Sequence, residues 1–189
     1  MRKFGVIFIL LVVFVSCNSK KKQVERQLAY GEIVDLKIKF DHSIQNQQID
    51  FESAKILTEK YEAFIASYPK DTMAPRYLIE LAMLNSGFLG ETERAIENYH
   101  QLKKDYPRSQ YVPISYFAIA SIYSDKLKDF KNAEKYYRML MDEFPNNSLA
   151  EQAEILIKYL GMSDEEMFEE IIENSSDSTI LSGEAAQVE

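Results

Sequence analysis

The sequence predicts an all-α chain: an αα-superhelical solenoid of about three 38-residue repeats, preceded by a secretion segment and followed by an acidic tail. Three observations carry this. An aromatic residue followed by proline recurs at Tyr68-Pro69, Tyr106-Pro107 and Phe144-Pro145, 38 residues apart each time. A fixed period in this range marks repeat architectures, in which each unit buries its apolar face on its neighbours. Between those marks the apolar residues fall at helical spacing, as Leu57, Tyr61 and Phe64, then Ala95, Tyr99 and Leu102, then Ala133, Tyr137 and Leu140. The composition is that of a globular chain able to bury a core, with 46% hydrophobic and 28% charged residues in a length of 189.

The first element is a secretory signal, residues 1–16. Arg2 and Lys3 precede an uncharged run from Phe4 to Val15, which ends at Ser16-Cys17-Asn18. Twelve such residues rise about 18 Å as a helix against roughly 30 Å of hydrocarbon, so a permanent span is the poorer reading. Cys17, the one cysteine of the chain, sits at the cleavage point. The stretch resembles the lipobox of bacterial lipoproteins, departing from it at Phe14, where Leu is usual. That resemblance implies cleavage before Cys17 and acylation of Cys17; the plainer reading is an ordinary signal peptide beside an incidental cysteine. Asn18 stands where Asp retains many lipoproteins in the inner membrane, which points to the outer membrane and its periplasmic face. With Cys17 acylated, no thiol remains for disulfide, metal or redox chemistry.

Residues 17–49 follow as the lipidated N-terminus and tether. Within them Val34, Leu36, Ile38 and Phe40 alternate as in a strand, while Ile33, Leu36, Phe40 and Ile44 equally suit a helix lying on the first repeat. An unpaired strand in an all-helical domain leaves its backbone groups unsatisfied, which favours the helix.

The repeat domain is set at 50–173, with helices expected at about 52–67, 73–86, 92–105, 111–124, 130–143, 149–160 and 164–173. Proline ends each preceding helix. Asp71, Ser109 and Asn147, two residues beyond each proline, are side chains that accept hydrogen bonds from the free amides of a helix start. Ser163 with Glu166 reads as a capping box. Residues 174–189 hold acidic groups and no basic one, and are expected to be disordered.

Leu78, Leu81, Ala82, Ala95, Tyr99, Leu102 and Pro107, with Tyr116, Ile119, Ala120, Tyr123, Ala133, Tyr137, Leu140 and Pro145, resemble tetratricopeptide repeats. A third copy is degenerate, with Glu154 at a large apolar position and Gly161 at a tyrosine. The 38-residue length, against the family's 34, is similar to the repeats of bacterial outer-membrane lipoproteins of the barrel-assembly and cell-division-coordinator type. The resemblance implies a protein or peptide partner in the cell envelope and a membrane contact through the lipid. In the family's frame the partner-facing positions are Arg76, Ile79, Met83 and Ser86, then Phe117, Ser121 and Ser124, then Gln152, Ile155 and Tyr159. Two functions fit: a non-enzymatic adaptor, or a permanent structural subunit of an envelope assembly complex.

Chemistry has little to stand on. His42 and His100 have no second histidine or cysteine at helical spacing, and the chain carries no phosphate-binding glycine loop, serine-hydrolase elbow or cysteine nucleophile. No cofactor, metal or catalytic residue is expected. A formal charge of -8, with Lys20-Lys21-Lys22 as the one basic run, argues against nucleic acid.

Overall fold

A computed structural model describes the backbone of residues 2–163, 165–170 and 172, with side chains from Lys20 onward. The Cys17 side chain and the expected tail, 174–189, lie outside the described residues. The chain divides into two units, residues 1–112 and 113–189. The first holds α1 (Arg2–Gln45), α2 (Phe51–Ser67), α3 (Ala74–Gly87) and α4 (Thr92–Asp105). The second holds α5 (Val112–Ser121) running into a π-helical turn (Ile122–Lys126), then α6 (Phe130–Glu143), α7 (Ser148–Lys158) and a helical stretch at 165–170. Among the described residues there is no β-strand, and no helix is long and apolar enough to cross a membrane. The fold class is the repeat-built, all-α one that the sequence predicts.

The aromatic-proline turns repeat almost to the degree. Tyr68, Tyr106 and Phe144 have φ/ψ of -133/54, -132/55 and -135/54. Each still donates its amide four residues back, to Phe64, Leu102 and Leu140 at 2.8–2.9 Å. The following proline has no amide to continue the ladder, so the helix stops. Asp71, Ser109 and Asn147 then accept from the amides of Met73, Tyr111 and Leu149 at 2.9, 3.3 and 3.0 Å, starting the next helix as expected.

In the first unit α1 packs on α2, α2 on α3 and α3 on α4. The region with two competing periodicities is helix: Ile33 and Phe40 of α1 are 2% and 3% exposed, and Phe40 meets Phe88 edge to face at 5.1 Å. Lys60 bonds Glu32 at 2.6 Å, and Arg26 pairs with Asp71. The tether expected over 17–49 is therefore corrected, because its later part is an element of the folded unit and the boundary at 50 falls too late. The turn between α1 and α2 ends at Asp50, which caps α2 by accepting from the Ser53 hydroxyl and amide; these bonds hold its carboxyl below the usual range.

The core of this unit is aromatic. Tyr77 stacks on Tyr61 at 4.9 Å and meets Phe64 edge to face at 4.9 Å, with all three rings buried. Each such ring contributes roughly 1.5–3 kcal/mol through burial. Ala82, Ala95, Ala120 and Ala133 have no exposed surface, so small residues sit where the helix backbones approach. Asn85, fully buried, donates to Asn98 at 2.9 Å; one period later the same pair is Tyr123 and Tyr136, stacked at 5.6 Å. A polar lock in one unit is thus an apolar one in the other.

Candidate partner-binding cleft

The second unit contains an open cleft of about 530 Å³. Its geometry begins with the π turn. Leu127 donates to the Ile122 carbonyl at 3.1 Å, five residues back, and Asp129 donates to Tyr123 at 2.8 Å. The extra residue in this turn widens the helix, and Ser124 and Asp125 within it line the cleft beside Ser121. Lys128 then reverses the chain at φ 52, the position that Gly90 fills at φ 71 one period earlier. Asp129 caps α6 by accepting from the Asn132 amide at 3.1 Å, and that bond holds its carboxyl low.

The apolar walls come from three elements. Phe130 opens α6 with 38% of its surface exposed. On α7, Ile155 and Leu156 are 59% and 39% exposed. Beyond α7 the chain turns at Gly161 with φ 83, where a Cβ would stand 3.2 Å from the Phe130 ring. The family's tyrosine is absent there because the chain reverses against that ring. The Ser163-Glu166 capping box forms as the sequence predicts, with bonds of 2.7 and 3.2 Å. It starts the last helical stretch, which brings Met167 to the cleft, and Lys158 ties the stretch to α7 through Glu170 at 3.1 Å.

Polar groups are few. Ser121 and Tyr137 share a hydrogen bond at 3.2 Å, and burial pushes the Tyr137 phenol up, so it stays neutral. Asp125 and Lys128 are the charged residues of the lining. Elsewhere on the unit Glu151, Glu154, Glu165 and Glu169 are exposed, as are Lys126, Lys131 and Lys135, while Lys158 pairs with Glu170. An apolar trough with one acid and one base in its lining suits an extended or helical segment that offers an apolar side chain. Among the described residues no group of three or more His, Cys, Asp or Glu is placed to hold a metal ion.

Of the sequence-derived positions, Ser121, Ser124, Ile155 and Tyr159 meet in this cleft. Phe117 is half-buried and packs edge to face on Tyr137 at 5.5 Å, and Gln152 is exposed on α7 outside the lining. The first unit differs more. Ile79 is 4% exposed, so it packs inside the unit and is corrected as a contact residue. Arg76 is exposed but its Nε lies 2.9 Å from Glu80, which also accepts from the Tyr61 hydroxyl at 2.5 Å. Its charge is thus engaged within the fold rather than free for a partner carboxylate. Met83 is 54% exposed beside a smaller recess of about 130 Å³ that Phe40 and Phe88 also line. Ser86 donates to the Met83 carbonyl at 3.4 Å and hydrogen-bonds Tyr99.

Asp125, Lys128, Phe130, Leu156, Met162 and Met167 escaped the sequence reading. One signal was available: Phe130 stands one period after Thr92, an apolar residue where the earlier repeat has a polar one.

Residues 78–109 and 115–147 match the tetratricopeptide repeat family, about a third of the chain, with one match in each unit. Repeats of this kind are protein-protein interaction modules, and their family is generally a non-catalytic scaffold. No curated protein matches the chain significantly.

Proposed function

We propose that the chain is a non-enzymatic adaptor, anchored by acylated Cys17 to the periplasmic face of the outer membrane, that holds a segment of an envelope protein in the cleft of its second unit. The observation that carries this is the 530 Å³ cleft with Ile155, Leu156 and Phe130 open to solvent, in a repeat similar to protein-interaction modules. Exposed aliphatic groups in a concave site gain free energy by leaving water, roughly 25 cal/mol per Å² of apolar surface covered. Two or three acyl chains on Cys17 would make attachment effectively permanent, since each buried methylene adds about 0.8 kcal/mol.

Two experiments test the two parts separately. Ile155→Glu with Leu156→Glu should release the partner recovered with the parent protein from detergent-solubilised envelopes, while helicity is unchanged. Retention of that partner by the folded variant would exclude the cleft as its site. Size measurement of the same extracts separates the adaptor, found in substantial part free, from a permanent subunit, found only in complex. Cys17→Ser should abolish acyl labelling and outer-membrane fractionation; a variant that stays in the outer membrane would assign sorting to the fold or the partner.

A further inference from the structure

Three contacts gather one end of the first unit. Arg26 of α1 pairs with Asp71, with Nη2 3.0 Å from Oδ1. Lys22, one turn earlier, holds its ammonium 5.8 Å from the centre of the Tyr68 ring. Tyr106 donates its hydroxyl to the Pro69 carbonyl at 2.9 Å. The start of α1's described side chains, the turn after α2 and the turn after α4 therefore form one edge. The cations exposed on it are Lys20, Lys21, Lys22, Lys70, Lys104 and Arg108. Against them stand Glu25, 3.9 Å from Lys21, and Asp105, which accepts from Gln101, while the charges of Arg26 and Asp71 cancel.

In a chain of net charge -8, this edge reverses the sign. The other end of the unit, where Phe40 meets Phe88, exposes Asp50, Glu52, Glu91 and Glu93, against which stand Lys39 beside Asp50 and Arg94 bonded to Glu91 at 2.9 Å. The unit is thus polarised along its helices. The chain also enters at the basic edge: Cys17 precedes Arg26 by nine residues of α1, a rise of about 14 Å.

We infer that the basic edge of the first unit docks on anionic phospholipid headgroups and seats the unit on the bilayer with its acidic end pointing away. The inference deepens the anchoring reading and takes its orientation from it. The α1 helix leaves little slack between an acylated Cys17 and the edge, so Lys20, Lys21 and Lys22 lie within about a Debye length of the anchor and the rest of the edge within about two, where attraction is only partly screened. Each Lys or Arg near an anionic surface adds about 1 kcal/mol, a fivefold gain in affinity.

The test uses residues 18–189, a chain without Cys17 that keeps every buried residue described, the first of which is Ile33. Its sedimentation with vesicles of phosphatidylglycerol and phosphatidylcholine is compared with vesicles of phosphatidylcholine alone. Binding to the anionic vesicles only, lost at about 0.3 M salt, is expected. Lys70→Gln, Lys104→Gln and Arg108→Gln together should weaken it about a hundredfold, at three fivefold steps. The control, Lys39→Gln, Lys55→Gln and Lys131→Gln, removes the same charge elsewhere and should leave affinity within a fewfold. Equal loss in both triple variants, equal binding to neutral vesicles, or a preference for single-stranded DNA over the anionic vesicles would overturn the inference. None of these results depends on whether Cys17 is acylated, which acyl labelling of the full chain tests by itself.

Discussion

Replacing Tyr77 by phenylalanine is expected to stabilise the first unit, because its hydroxyl is buried without a partner. Tyr77 is 3% exposed, and its oxygen has no hydrogen-bond partner among the described residues. An unpaired buried hydroxyl costs about 1–3 kcal/mol. The lower end applies here, since Tyr77 borders a small open recess of about 60 Å³. Phenylalanine keeps the stacking on Tyr61 and the edge contact with Phe64, so the expected gain at neutral pH is about 1 kcal/mol, or roughly 2–4 °C in melting temperature. The gain should grow in alkali. Burial pushes the Tyr77 phenol from 10.0 up to about 12, so the folded state keeps a proton that the unfolded chain releases from about pH 10. Stability present below pH 10 is therefore lost as pH rises towards 12, by an amount on the order of 2 kcal/mol that the phenylalanine variant does not lose. Urea unfolding followed by far-ultraviolet circular dichroism, at pH 8 and again near pH 11, measures both effects. A variant less stable than the parent by more than about 1 kcal/mol at pH 8 would refute the reasoning, by showing that the hydroxyl is satisfied after all.

Three further substitutions probe the turns and the close helix contacts. Lys128→Gly should stabilise by about 0.5–1 kcal/mol in thermal or urea unfolding, since a left-handed φ of 52 strains a residue with a Cβ more than it strains glycine. Gly161→Ala should cost about 1–2 kcal/mol and narrow the cleft, because φ 83 is unfavourable for alanine and its Cβ meets Phe130; a change within 0.3 kcal/mol would show that the turn simply relaxes. Ala120→Leu should cost about 1–3 kcal/mol by overpacking a fully buried position, more than deletion of 174–189; a comparable fall in melting temperature on that deletion would show the tail to be docked.

The helices were legible because the signals that set them are local. A proline after an aromatic residue and a short polar side chain two residues later fix each turn, and Tyr68, Tyr106 and Phe144 accordingly share one conformation. The α1 region was not legible, since Ile33 and Phe40 satisfy a helical face and an alternating one is equally present; contact with Phe88 decides between them. The engagement of Arg76 was half legible. Its spacing of four to Glu80 is a helical ion-pair spacing, but the Tyr61 hydroxyl that completes the cluster arrives from another helix. The cleft depends on the π turn and on the reversal at Gly161, which bring Ser124, Phe130 and Met167 together across more than forty residues of sequence. No single periodicity encodes that meeting.

The central claim is that the second unit's cleft is where a partner binds. A photo-crosslinking amino acid placed at Ile155, Leu156 or Tyr159 of the membrane-bound protein, with the adducts identified by mass spectrometry, tests it most directly. All three positions should join to the same segment of one envelope protein, a segment that offers an apolar residue, and half-buried Glu134 and exposed Arg138 on α6, paired with each other, should give no adduct. Adducts at Glu134 and Arg138 with none from the cleft would contradict the claim and put the binding surface on α6.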